Sequence, residues 1–200
     1  MGVKLKCIGI SGTPGTGKTS IARTLSQVLN IPYLDLSSYV VNNKLYTYYD
    51  EERNSYVIDE DKVRASVINM YREKGPMIIS SHYIEIIPRD IFEIVFILRR
   101  NPLELIDVLT SRGWPSHKIA ENVEAELLSI CTLNVIDEFG DDIVVEIDVS
   151  SKSLDDVVQE IVDILHKSKT SSRGISIDWT TTLSEKDLEK VLKFIEKYKP

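Results

Sequence analysis

Lys4-Leu5-Lys6-Cys7-Ile8-Gly9-Ile10-Ser11-Gly12-Thr13-Pro14-Gly15-Thr16-Gly17-Lys18-Thr19-Ser20 carries three signals in a fixed order. Cys7 to Ile10 is a short apolar run bounded by turn residues, the pattern of a buried strand. Gly12 to Thr19 fits G-x-x-x-x-G-K-[ST] at every fixed position. From Ser20 to Leu29, the apolar residues Ile21, Ala22, Leu25, Val28 and Leu29 form a helical stripe.

Chemistry explains this order. Glycines at 12, 15 and 17 reach backbone angles that side chains forbid, and they leave room for an anion against the main chain. Successive N–H groups of the loop form a nest, and the helix that follows adds its positive end. Lys18 is expected to reach the β- and γ-phosphates of a nucleotide, and the Thr19 hydroxyl to sit on Mg²⁺.

The 200 residues suffice for one α/β domain plus an appendage. Apolar residues make up 42% and charged residues 28%, an ordinary balance for a globular chain. A net charge of −7 argues against general affinity for nucleic acid. No apolar run approaches the roughly 20 residues that span a bilayer. The first strand begins almost at once, so no signal peptide and a cytoplasmic location are expected. Cys7 and Cys131 read as packing residues, and the absence of C-x-x-C or Cys/His clusters speaks against structural zinc.

Outward from the loop, residues 31–34 form a second short strand with Asp35 at its end. Tyr46 to Tyr56, with Asp50, Glu51, Glu52 and Arg53, reads as an exposed, mobile connection. A helix from about Glu60 to Lys74 closes at Gly75-Pro76. Met77-Ile78-Ile79 is a third strand, followed by Ser80-Ser81-His82. Glu93 to Leu98 is a fourth, followed by Arg99-Arg100. Asn101-Pro102 caps a helix to about Ser111. One long helix is expected from Ser116 to about Phe139, then a fifth strand, Ile143 to Ile147. Ser153-x-x-Asp156 opens a helix to about Lys167. Strands that are apolar throughout and alternate with helices imply a doubly wound, five-stranded parallel α/β sheet. Ligands bind such sheets at the carboxyl ends of the strands, where Asp35, Ser80, His82 and Arg99 join the loop. Residues 168–200 are a polar linker and an amphipathic helix with Leu188, Val191, Leu192 and Ile195 on one face; it either packs back on the domain or meets a partner.

A set of residues resembles the adenylate kinase isoenzyme 6 family. It comprises Gly12–Thr19, Leu45-Tyr46, Tyr49-Asp50-Glu51-Glu52, Ile58-Asp59-Glu60-Asp61, His82, Val95 to Arg99, Arg112-Gly113, Lys118 and Glu121-Asn122, and the match spans roughly residues 4–167. The resemblance implies a phosphate-loop NTPase of the nucleoside monophosphate kinase type, with residues 1–167 as the kinase-like domain. It implies a monophosphate-binding segment at about 35–59 and a lid at about 111–121. Gly12, Gly15, Thr16, Gly17, Lys18, Thr19, Ser20 and Arg112 would bind ATP. Asp35, Asp59 and Asp61 are the candidates for the monophosphate side. The activity implied is ATP + AMP to 2 ADP, with Mg²⁺, and with ATPase activity. The family is also tied to small ribosomal subunit maturation, which adds a platform ribosomal protein and pre-rRNA as partners.

Two positions depart from the family pattern. Ser80 stands where an aspartate usually holds Mg²⁺ through water, so that role falls to Asp35 or to Ser80 itself. Residues 38–43, Ser-Tyr-Val-Val-Asn-Asn, lack an arginine usual for gripping a monophosphate. In phosphoryl transfer, Lys18 would stabilise the β,γ-bridge, and Arg99 and Arg112 would neutralise equatorial oxygens. His82 would orient water, or be structural. Asp59 and Asp61 would bind substrate, or only cap the helix after them. Trp114 would pack on adenine or shield the lid. Three functions remain open: a monophosphate kinase, an ATP-driven assembly switch with little kinase activity, and a nucleotide-binding module without turnover.

Overall fold

A computed structural model describes residues 6–51 and 55–198. The main sheet joins β1 (Cys7–Gly12), β2 (Tyr33–Asp35), β5 (Ile78–Ser80), β6 (Phe92–Arg99) and β7 (Val144–Asp148) in the order β2-β5-β1-β6-β7. Every pairing in it is parallel. The small hairpin of β3 (Tyr46–Asp50) and β4 (Ser55–Ile58) stands apart and is antiparallel.

Both faces of the main sheet are covered. Ile8 and Ile10 of β1 pack with Ile21, Ala22 and Leu25 of α1 (Lys18–Leu29) and with Val157 and Ile161 of α7 (Leu154–Leu165). Cys7, Ile79, Val95 and Ile97 point the other way, toward Leu36 of α2 (Leu36–Asn42), Val63 and Val67 of α3 (Glu60–Lys74) and Val135 and Phe139 of α6 (Ile130–Phe139). Alternate residues of each strand thus enter two different cores, which is why the strands read as unbroken apolar runs.

A third cluster lies outside the sheet. Leu105 and Leu109 of α4 (Pro102–Ser111) and Ile119, Val123 and Leu127 of α5 (Ser116–Leu127) enclose Trp179 of α8 (Trp179–Thr182) and Val191 and Ile195 of α9 (Glu185–Tyr198). The tail is therefore folded against the domain. Leu192, expected on the same face, is 49% exposed.

Caps close the helices where the sequence marks them. Asn101 Oδ1 accepts from Leu103 N at 2.9 Å, and Ser153 and Asp156 form a reciprocal capping box. Two expectations need correction. The segment 116–139 is two helices, because Ser129 turns left-handed (φ 58°) after Leu128 and interrupts the helical backbone between α5 and α6. Residues 46–58 contain a hairpin, held by the ladder from Tyr46↔Ile58 to Asp50↔Ser55 and by the Tyr46–Tyr56 and Tyr49–Tyr56 ring contacts at 4.4 and 5.0 Å. Glu52 and Arg53 lie outside the described residues.

Candidate nucleotide site

The loop from Gly12 to Thr19 lies between β1 and α1 with its glycines in left-handed or related conformations. At Gly12 (φ 133°) a Cβ would stand 2.3 Å from Leu98 O, so only glycine lets the loop leave the sheet there. Lys18 Nζ donates to Gly12 O at 2.7 Å and to Thr13 O at 3.0 Å, which holds the ammonium over the loop. Thr16 is buried, and its hydroxyl donates to Thr13 O at 2.9 Å. Burial lowers the Lys18 pKa to about 8; Cys131 and Glu126 oppose that shift, while Arg112 adds to it.

Among the described residues, three adjoining cavities lie around the loop. The first, about 330 Å³, is lined by Pro14, Gly15, Gly17, Lys18, Thr19, Ser20, His82, Arg112 and Trp114. It brings together the loop, the turn between α4 and α5, and His82, two residues after β5. A second, about 160 Å³, lies against Thr16, Gly17, Ser20, Arg100 and the turn from Val149 to Leu154. A third, about 830 Å³, shares Pro14, His82 and Trp114 with the first and extends between α5, α6 and Ser55 of the hairpin. His117, Lys118, Asn122, Cys131 and Asn134 are on its walls.

His82 is open to solvent at the wall of this cleft, yet protein crowds the ring. That crowding, and then the Lys18 ammonium, lower its pKa to about 4, so the imidazole is neutral at physiological pH.

A small hydroxyl–carboxylate network connects β2 and β5 with the first turn of α1. Thr19 Oγ1 approaches Asp35 Oδ2 at 3.5 Å. The Tyr33 hydroxyl donates to that same Oδ2 at 3.2 Å and shares a 3.0 Å bond with Ser80 Oγ. Asp35 Oδ1 also caps α2 by accepting from Ser38 N at 3.0 Å. Tyr33 was not singled out by its sequence context, and it physically links the carboxylate to Ser80.

Other candidates fall elsewhere. Arg99 is not in the cleft. It is the last residue of β6, 1% exposed, and its guanidinium is taken up by Glu126, Glu146 and Ile177 O. Four of its five N–H donors are taken and burial keeps phosphate from the fifth, so the catalytic expectation for Arg99 is corrected to a buried ion-network role. Asp59 caps α3, accepting from Lys62 N at 3.2 Å and pairing with Lys62 Nζ at 2.8 Å. The Asp61 side chain is 96% exposed near Arg64. Neither lines the three cavities. The α5–α6 walls of the large cavity were the part missed in sequence; the one hint was the trio Lys118, Glu121 and Asn122.

Comparison with known proteins bears on the family and the fold. Residues 8–129 match the profile of the AAA domain family. A protein of Saccharolobus islandicus described as "Putative adenylate kinase" is 40% identical over 154 residues, covering 77% of this chain and 80% of that one. Relatives with the same description in Methanocaldococcus jannaschii (34%, covering 86% and 92%) and Pyrococcus furiosus (30%, covering 89% and 93%) also align. Among solved structures, shikimate kinase from Acinetobacter baumannii superposes with a TM-score of 0.56 at 16% identity, over 82% of this chain and 95% of that one. Shikimate kinase from Bacteroides thetaiotaomicron gives 0.55 at 15%, over 80% and 98%. At such identities the likeness is one of fold: a phosphate-loop kinase architecture.

Proposed function

This chain belongs to the AAA domain family and groups with the archaeal relatives described above, and we propose that it is a nucleotide kinase of adenylate kinase type, converting ATP and AMP to two ADP. One observation carries the reading. The glycine loop, Arg112 with Trp114, and His82 surround a single cavity that opens into a second one of about 830 Å³, within the size range of pockets that hold drug-sized ligands.

In the proposed reaction an oxygen of the acceptor phosphate bonds to the γ-phosphorus of ATP. The bond from that phosphorus to the β,γ-bridging oxygen breaks, and ADP leaves from both sides. Little covalent help is needed; the protein positions the two nucleotides and neutralises charge. Gly12 to Ser20 supply main-chain N–H groups, Lys18 the ammonium, and Arg112 a planar fork at the lid turn. Trp114 covers the reacting phosphates against water. His82, neutral, hydrogen-bonds acceptor or water at the junction of the cavities.

Thr19 and Asp35 present an all-oxygen donor set, one hydroxyl and one carboxylate, that suits a hard cation such as Mg²⁺. Mg²⁺ would offset phosphate charge when bound, with Thr19 and Asp35 holding it and Ser80 reached through Tyr33. Of the two roles that the sequence offers Asp35, its approach to Thr19 favours the metal side.

The finer placement, in the isoenzyme 6 branch with a cytoplasmic protein acting on small ribosomal subunits, rests on the sequence resemblance. Ser80, a neutral hydroxyl already bonded to Tyr33, favours a second reading: slow ATP hydrolysis that switches affinity for a ribosomal protein or pre-rRNA. The test is a coupled assay for ADP from ATP plus each monophosphate. Transfer to AMP that disappears in Lys18→Ala supports the kinase. Failure to phosphorylate any monophosphate, with hydrolysis retained, moves the function to the switch.

A further inference from the structure

The C-terminal segment reaches the phosphate loop by two routes. The first is a chain of hydrogen bonds. Gly174 N donates to Val144 O at 2.9 Å, and Ser176 N and Ile177 N donate to Glu146 Oε2 at 2.6 and 2.7 Å, which ties the segment to β7. Trp179 Nε1 then donates to Glu126 Oε1 at 2.9 Å, and the other oxygen of Glu126 accepts from the Thr13 hydroxyl at 2.6 Å. Thr13 is the loop residue whose carbonyl accepts from both Lys18 Nζ and Thr16 Oγ1. Three residues therefore connect an indole of the tail to one of the two carbonyls that hold the loop lysine. Glu126 is 1% exposed and Trp179 is 3% exposed, so water does not loosen the connection.

The second route is packing. α9 puts Val191 and Ile195 into the cluster formed by Leu105 and Leu109 of α4 and by Ile119 and Val123 of α5. Those two helices flank the Arg112-Gly113-Trp114 turn. The same Leu105 and Leu109 lie under the loop: a Cβ on Gly15 would come within 2.6 Å of Leu105 and 3.1 Å of Leu109. The side chains that seat the tail thus also support the loop from below.

We propose that residues 174–198 are a positioning element of the nucleotide site. Trp179, acting through Glu126, sets Thr13 and so the placement of Lys18. α9 sets the angle between α4 and α5 and so the lid turn. Trp179 and Glu126 are positioning residues: they act on the ligand only through Thr13 and Lys18. The proposal rests on the loop being the nucleotide site.

Two measurements test it. The first is a double-mutant cycle on ADP·Mg²⁺ affinity with Thr13→Val, Trp179→Phe and the pair, alongside melting temperatures. Each single change is expected to weaken ADP about 5–20-fold, and the pair by much less than the product, because both act through one carboxylate. The steady-state KM for ATP is expected to rise with the Kd in Trp179→Phe. The second uses the unaltered sequence grown with 5-fluorotryptophan. The chain has two tryptophans, and the fluorine resonance of buried Trp179 is expected to shift on ADP·Mg²⁺ saturation in step with that of Trp114. Parent-like ADP affinity in a folded Trp179→Phe, multiplicative effects in the cycle, or a Trp179 resonance indifferent to ADP each overturn the brace alone. A parent chain that binds no ADP at all overturns the loop reading and the brace together.

Discussion

Arg99 Nε donates to Glu126 Oε1 at 2.8 Å, with both side chains 1% exposed. The same guanidinium pairs with Glu146, whose Oε1 also accepts from Thr132 Oγ1 at 2.6 Å. One arginine thus bridges two buried carboxylates, and backbone, hydroxyl and indole donors stabilise the charge it leaves over. Removing the cation leaves two charges without compensation in the interior.

Arg99→Ala is therefore expected to destabilise the fold by about 3–5 kcal/mol, the cost of breaking a buried pair by removing one partner. Arg112→Ala, at the mouth of the cleft, is expected to leave the unfolding midpoint in urea close to that of the parent and to lower kcat/KM by about 100-fold. Urea titration beside steady-state kinetics separates the two. Equal losses of stability in both variants would contradict this division of roles.

The pH dependence of nucleotide binding follows from Lys18. Its pKa in the free protein is lowered to about 8, and phosphate beside the ammonium raises it. Well below pH 8 the lysine is charged in both states and adds no pH dependence of its own. Above pH 8 the free protein has lost the proton that the complex still holds, so binding takes up a proton and ADP affinity falls as pH rises. Calorimetry at pH 8.5 in buffers of different ionisation enthalpy is expected to show this uptake in the parent and none in Lys18→Met.

His82 gives the opposite signature. With its pKa lowered to about 4, it does not change charge between pH 5.5 and 8. The acid limb of the kcat/KM profile over that range is expected to be unchanged in His82→Asn, even where the rate itself falls. A limb near pH 6.5 that vanishes in this variant would show that His82 titrates there.

Metal dependence distinguishes Asp35 from Ser80. Asp35 holds the carboxylate nearest the Thr19 hydroxyl, whereas Ser80 Oγ is engaged with Tyr33. Asp35→Asn is expected to raise the Mg²⁺ concentration for half-maximal turnover about 10-fold, and Ser80→Ala by about 2-fold or less. Titration of turnover with Mg²⁺ at fixed ATP measures both. A larger effect at Ser80 would reverse the assignment.

Gly15→Ala tests the close packing under the loop. The position has φ 100°, and a Cβ there meets Leu105 at 2.6 Å. Either the loop or the Leu105 methyl must shift, and alanine is strained at this φ besides, so ADP affinity is expected to fall about 10-fold by calorimetry, and Leu105→Ala is expected to restore part of it by clearing the space.

The strand, loop and helix around Gly12–Thr19 were legible because phosphate-loop architecture is written in contiguous residues: the glycines, the lysine and the helical stripe act where they stand in the chain. The five parallel strands were legible because burial on two faces makes each strand apolar throughout. The break at Ser129 was not, because the apolar stripe of 116–139 runs through it without glycine or proline. The hairpin at 46–58 was missed because its cross-strand tyrosine contacts form only once the two segments pair.

Arg99 shows where local reading stops. A charged residue at the end of a parallel strand points, by position alone, to the ligand crevice. Its actual partners, Glu126 and Glu146, are 27 and 47 residues away. Local pattern by itself determined the loop, the sheet class and the order of elements, since each depends on propensity and period over a few residues. Tertiary structure alone decided which charges line the cleft and which pair with one another inside, because the energy of a charge depends on the partners and water that remain around it after the chain has closed.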